Sequence, residues 1–95
     1  MIKPILLTLA LVSTPLAAKE EQASCEQLAS LAEVIMDNRQ QGVPLVDMIK
    51  TTDNGLIREI IKMAYKRPQY PEGYRDEPIT DFQNDIYLEC LESMD

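Results

Sequence analysis

Asp81, Asp85 and Glu89 recur every four residues near the end of this 95-residue chain, a spacing that stacks three carboxylates on one face of a helix. Carboxylate oxygens suit hard cations, but groups on one straight helix diverge into solvent, whereas calcium sites fold a loop around the ion. A solvated acidic face is therefore expected, and no metal site is assigned. Asp53-Asn54-Gly55 holds only a fragment of a calcium loop and reads as a cap and turn. The chain contains no histidine, which removes the commonest general base and the commonest metal ligand. Its two cysteines, Cys25 and Cys90, stand 65 positions apart rather than in a Cys-x-x-Cys arrangement, which favours a structural bridge over thiol or redox chemistry. Serine and threonine are left without a base. The expectation is a noncatalytic protein with no catalytic residues and no cofactor.

Binding is the chemistry that remains. Between Arg67 and Pro78 the sequence Arg-Pro-Gln-Tyr-Pro-Glu-Gly-Tyr-Arg-Asp-Glu-Pro reads as an ordered loop. Tyrosines beside proline and arginine supply rigid amphipathic area of the kind that anchors protein interfaces, so Arg67, Tyr70, Tyr74 and Arg75 are the candidate partner-binding residues. The alternative is that the rings fold back as a lid over a thin core. Tyr65 and Tyr87 fall inside helical patterns and are assigned to the core. The formal net charge is −7, which disfavours nucleic acid, because binding phosphates needs clustered Lys and Arg. An acidic chain suits a basic protein partner, although the charge also serves solubility alone.

The start of the chain bears on where this chemistry takes place. Lys3 precedes a compact apolar run from Ile5 to Val12, then Ser13-Thr14-Pro15 and the small residues Ala17 and Ala18, a signal-peptide profile with cleavage expected after Ala18. The run is shorter than the roughly 20 residues of a membrane span, so no stable membrane insertion is expected after cleavage. Cys25 follows Ala23-Ser24, but Lys19-Glu20-Glu21 separates it from the apolar run, which argues against lipidation. Removing residues 1–18 from 95 leaves 77, a single domain spanning residues 19–95, with Lys3 lost and a net charge of −8. A periplasmic or secreted location makes a Cys25–Cys90 disulfide the expected staple for so small a core.

Four helices are needed to position these residues. Cys25, Leu28, Leu31, Ala32, Ile35 and Met36 repeat at three and four, predicting a helix from Cys25 to Gln41 that starts at a Ser24/Gln27 capping box and ends at Gly42. Glu26, Glu33, Asp37 and Gln40 fall mostly off its apolar face. Pro44 fits the first position of a short second helix with Leu45, Val46, Met48 and Ile49 inward. A third helix starts around Asn54, buries Leu56, Ile57, Ile60, Ile61, Ala64 and Tyr65, and stops at Pro68. The last begins after Pro78, with Thr80 as cap answered by Gln83, along Ile79, Phe82, Ile86 and Cys90, widened by Tyr87, Leu91 and Met94. The predicted fold is all-α, a small bundle of about four helices whose first and last members are linked by the disulfide and packed antiparallel.

Cys25, the run Arg39-Gln40-Gln41-Gly42-Val43-Pro44, Met48, Ala64-Tyr65, Pro68, Tyr70, Phe82, Tyr87 and Cys90 together resemble an uncharacterised family of small exported single-disulfide proteins of gammaproteobacteria and their phages or prophages. The resemblance covers nearly the whole mature chain, implies export and the disulfide, and transfers no functional residue. In general plan the chain is also similar to phage periplasmic proteins that inhibit lysozyme or exclude superinfection, and to periplasmic acid-stress chaperones. The leading expectation is a noncatalytic periplasmic protein that binds a protein partner; the alternative is a stress chaperone loosened by acid.

Overall fold

A computed structural model describes residues 25–94. The expected leader and its cleavage site, residues 19–24 and the expected cap at Ser24 lie outside the described residues. Helix α1 covers residues 25–41 and stops where expected. Gly42 takes φ +89°, its N–H bonds to the Arg39 carbonyl, and the Val43 N–H reaches back to the Asn38 carbonyl. A side chain at this left-handed position would be strained, and its Cβ would crowd the Gln69 amide at 3.4 Å.

Helix α2 is Leu45–Ile49, with Pro44 as its N-cap in extended geometry rather than its first helical residue. Helix α3 is Gly55–Tyr65, and the Asn54 side chain accepts the Ile57 N–H at 3.0 Å, as the polar break predicts. It ends at Tyr65, ahead of Pro68, because a residue preceding proline is pushed out of helical geometry.

Helix α4 departs from expectation at its start. It runs Asp76–Met94, so Pro78 lies within its first turn and Thr80 is not its cap. The first turn of a helix has no internal partner for its N–H groups, so a proline there sacrifices nothing. The first i to i−4 bond of this end joins the Ile79 N–H to the Arg75 carbonyl at 3.2 Å. Asp76 and Glu77 in that turn favour the positive end of the helix dipole.

The described residues form a four-helix, all-α fold without strands, and the Cys25–Cys90 disulfide joins α1 to α4 with Cα atoms 5.6 Å apart. One cluster unites Ala32, Ile35 and Met36 of α1, Met48 of α2, Ile60, Ile61 and Ala64 of α3, and Phe82 and Ile86 of α4. Surface hollows pair Glu26 and Ala29 with Tyr87, and Glu33 and Asp37 with Asp76 and Ile79, so the start of α1 meets the end of α4 and the reverse. The two helices are antiparallel. Among the residues predicted inward, Leu45, Val46, Leu56 and Met94 are exposed. Helix α2 is so short that Met48 and Ile49 already occupy its inward side, and Leu56 and Met94 overhang an end of the bundle that no fifth element among the described residues covers. Leu91 is likewise exposed, while Tyr65 and Tyr87 are half-buried rather than fully in the core. No described helix is long and apolar enough to cross a membrane.

A bridge closing a 65-residue separation restricts the unfolded chain by about 4 kcal/mol in the chain-entropy treatment. Replacing both cysteines by serine is expected to lower unfolding free energy by about that amount while keeping the helical far-ultraviolet spectrum. Denaturant titration of the two forms at one pH checks it, and equal midpoints would show that the bridge contributes no stability.

Candidate functional site

Residues 66–75 leave α3 and return to α4, and their path is dictated by the end of α1. Gln40 is completely buried, contrary to its expected place off the apolar face, and is the only buried polar side chain among the described residues. Its Nε2 donates to the Pro68 carbonyl at 3.0 Å, its Oε1 accepts the Tyr70 N–H at 2.7 Å, and its own carbonyl accepts the Gln69 Nε2 at 3.0 Å. A primary amide presents one acceptor and one donor edge, which is what an irregular strand of backbone requires of a neighbour. Beside it, Arg39 donates from both Nε and Nη2 to the Arg67 carbonyl at 3.1 Å and lies over the Tyr65 ring at 5.3 Å. Sequence reasoning gave neither residue a structural role. Their one signal is negative: a glutamine at the edge of an apolar stripe, just before a helix end, has no partner within its own helix.

Arg67 is held within the fold. Its guanidinium stacks over the Phe82 ring at 4.8 Å and its Nη2 meets the Asp85 carboxylate at 2.7 Å. The pair covers the buried phenyl ring with a half-exposed cation, so its contribution is part packing and part screened attraction. Tyr70 and Tyr74 are not a lid: they are 39% and 71% exposed. The Tyr70 carbonyl accepts the Arg75 Nε at 2.9 Å, and Gly73 turns the chain at φ +93°. Tyr70, Tyr74, Glu77, Pro78 and Asp81 line a small hollow at this end of the molecule. The structure thus brings together Tyr70, Tyr74 and Arg75 at the surface, on a loop whose backbone is tied to Gln40, whereas Arg67 is engaged with Phe82 and Asp85.

Asp81, Asp85 and Glu89 share one face of α4, but among the described residues no three cysteine or acidic side chains converge on a point that could hold a metal ion. Asp85 is instead the partner of Arg67. Tyr65 donates its hydroxyl to the Val43 carbonyl, joining α3 to the turn after α1. Burial raises its pKa above the ordinary tyrosine value; the Asp47 carboxylate adds to that and the Arg39 cation opposes it.

A second feature lies at the opposite end. The faces of α3 and α4 diverge there to leave a groove of about 660 Å³, apolar for most of its lining, with Cys25 and Leu28 of α1 and the disulfide along its floor. The Met94 sulfur sits 3.3 Å from that of Cys25. Sequence patterning assigned Leu56 and Met94 to the core and therefore hid this groove. Comparison with known protein families, with curated proteins and with solved structures yields no match for this chain.

Two substitutions test the junction. Gln40→Met keeps the volume but strands the Tyr70 N–H and Pro68 carbonyl, and is expected to cost about 1–3 kcal/mol. It should also speed hydrogen exchange at the Tyr70 amide; unchanged exchange would mean that the loop is held by other contacts. Tyr65→Phe probes pH dependence. Because the folded state binds the Tyr65 proton more tightly than the unfolded chain, the neutral phenol stabilises the fold below roughly pH 10 and that contribution is lost as pH rises through the folded value. Melting temperatures measured from pH 8 to 11 should fall more steeply for the native chain than for the variant. Parallel profiles would remove Tyr65 from the alkaline transition.

Proposed function

We propose that this chain is a small noncatalytic protein, exported to the periplasm or beyond, that binds a basic protein partner through Tyr70, Tyr74 and Arg75. The observation that carries the reading is Tyr74, 71% exposed on a loop whose neighbouring backbone is tied to a buried glutamine. An aromatic ring held in place loses little freedom on binding, which is how a small surface gains affinity. Glu77 and Asp81 border the rings and give the surface a negative rim. That rim favours encounter with a cationic partner and disfavours nucleic acid. Inhibition of a basic lysozyme and exclusion of superinfection are specific forms this activity would take in a prophage-derived protein.

The Cys25–Cys90 bridge and the signal-peptide profile of residues 1–18 support export, since such bridges persist in oxidising compartments. The oxidised protein recovered after export is the bait for capture from a periplasmic extract at neutral pH. One dominant basic partner is expected, and Tyr74→Ala should weaken its binding about tenfold or more without changing the melting temperature. Retention of many unrelated proteins only near pH 3 would replace this reading with an acid-stress chaperone. Full binding by Tyr70→Ala and Tyr74→Ala would remove the loop from the interface.

A further inference from the structure

We propose that the groove beside the disulfide is a second binding site, which accepts the apolar face of a cationic amphipathic helix. It is independent of the tyrosine surface, lying at the other end of the antiparallel α1 and α4 pair.

The walls carry the argument. Leu56, Ile60 and Met63 line one side, and Ile86, Cys90 and Met94 line the other, each set recurring at the spacings of a single helix face. Two such ridges with a gap between them form the receptor half of a helix-in-groove contact. From Leu56 to Met63 and from Ile86 to Met94 the ridges run about 10–12 Å, which is about two turns of helix. Leu56 is 57% exposed and Met94 52%, so the groove presents large apolar side chains that the fold leaves uncovered. In a chain cleaved after Ala18, as the proposed export requires, the residues ahead of Cys25 are Lys19-Glu20-Glu21-Gln22-Ala23-Ser24, which contain no apolar side chain larger than alanine with which to fill it.

Charge selects the occupant. Glu59 and Glu89 stand among the lining residues, one on each wall, and no basic residue among the described residues lines the groove. Lys62 reaches Glu59 at 3.1 Å, but both side chains are more than half exposed and such a pair yields readily to a competing cation. Facing carboxylates repel an anionic headgroup, which disfavours a fatty acid or phospholipid. They also repel their own copies, which disfavours a symmetric dimer at neutral pH. A helix with leucines on one face and lysines or arginines flanking them meets both the apolar floor and the two rims.

The probes are a two-heptad leucine/lysine peptide, a leucine/glutamate peptide with the same leucine spacing, and a scrambled leucine/lysine peptide of unchanged composition. Added to the exported, oxidised, isotope-labelled protein, the first should shift the amides of Leu28, Leu56, Met63 and Ser93 and leave those of Tyr70 and Tyr74 unmoved. It should bind about tenfold more tightly than either other peptide. Leu56→Ser, at an exposed position, should weaken it at least about fivefold with the melting temperature unchanged, and Glu59→Lys with Glu89→Lys should reverse the preference between the lysine and glutamate peptides. Equal affinity for all three peptides, or shifts confined to other surfaces, would overturn the assignment. So would preferential filling of the groove by dodecanoate, or a dimer by sedimentation at neutral pH that protects Leu56. Loss of the proposed partner on Tyr74→Ala leaves each of these readings unaffected, so the two sites fail separately.

Discussion

A single buried amide governs how this chain turns. Gln40 enters the core without charge and meets both faces of an irregular segment, accepting from the Tyr70 N–H and donating to the Pro68 carbonyl. Any backbone crossing the end of a small bundle must find such partners or face water, since an unsatisfied buried polar group costs about as much as the whole net value of a hydrogen bond or more. With Gln40 in place the loop has one path, and that path delivers Arg75 to the start of α4 in register to place Phe82 and Ile86 in the core. Arg39 reinforces the same junction through the Arg67 carbonyl, and Arg67 closes it over Phe82. The disulfide fixes the opposite end. Helices α1 and α4 are therefore clamped twice, by polar contacts at one end and a covalent bond at the other, with the apolar cluster between.

Local rules made much of this legible. Gly42 and Asn54 act at the boundaries where a left-handed residue and a side-chain cap belong, and the three-and-four spacing of Ala32, Ile35 and Met36 identifies the buried stripe of α1. The pairing of Cys25 with Cys90, and the antiparallel order that follows from it, rest on there being only two cysteines. Pro78 misled because proline marks both the residue after a helix and the first turn inside one, and the acidic residues before it were the better guide to the start. Gln40 was illegible because its partners lie some 30 positions away. Periodicity reports which residues can face inward, not which tertiary contact will satisfy a polar one. The same limit explains Leu56 and Met94, whose spacing is that of core residues although no element arrives to cover them.

Most of the residues singled out in the sequence have a structural explanation. Arg39, Gln40, Gly42, Tyr65 and Pro68 build the junction, Phe82 fills the core beneath Arg67, and Cys25 and Cys90 make the bridge. Tyr70 alone spans both roles, since its backbone is part of the junction while its ring faces out. Residues engaged in this way account for the fold and are silent about activity. The surfaces left to discriminate one partner from another are those that the junction and the bridge support without containing: the Tyr74 ring and the apolar walls of α3 and α4.

The lengths of the helices explain why the second of these surfaces exists. Helix α3 has 11 residues and α4 has 19, or about 16 Å against 28 Å of axis. The shorter helix reaches the loop junction at its C-terminal end, where Ala64 is buried and the Tyr65 hydroxyl meets Val43, and its first turn reaches the disulfide end, where Leu56 lines the same groove as Met94. Leu56, Leu91 and Met94 stay exposed there among the described residues. Extending α3 backward would cover the groove, but Gly55 and the Asn54 cap end it, and Thr52 and Arg58 fold the preceding turn against its first residues. A covalent bond is what allows this end to stay open. Without the Cys25–Cys90 link, apolar contact alone would have to hold α1 against α4 at this end; with it, the two helices stay joined although the side chains lining the groove are exposed.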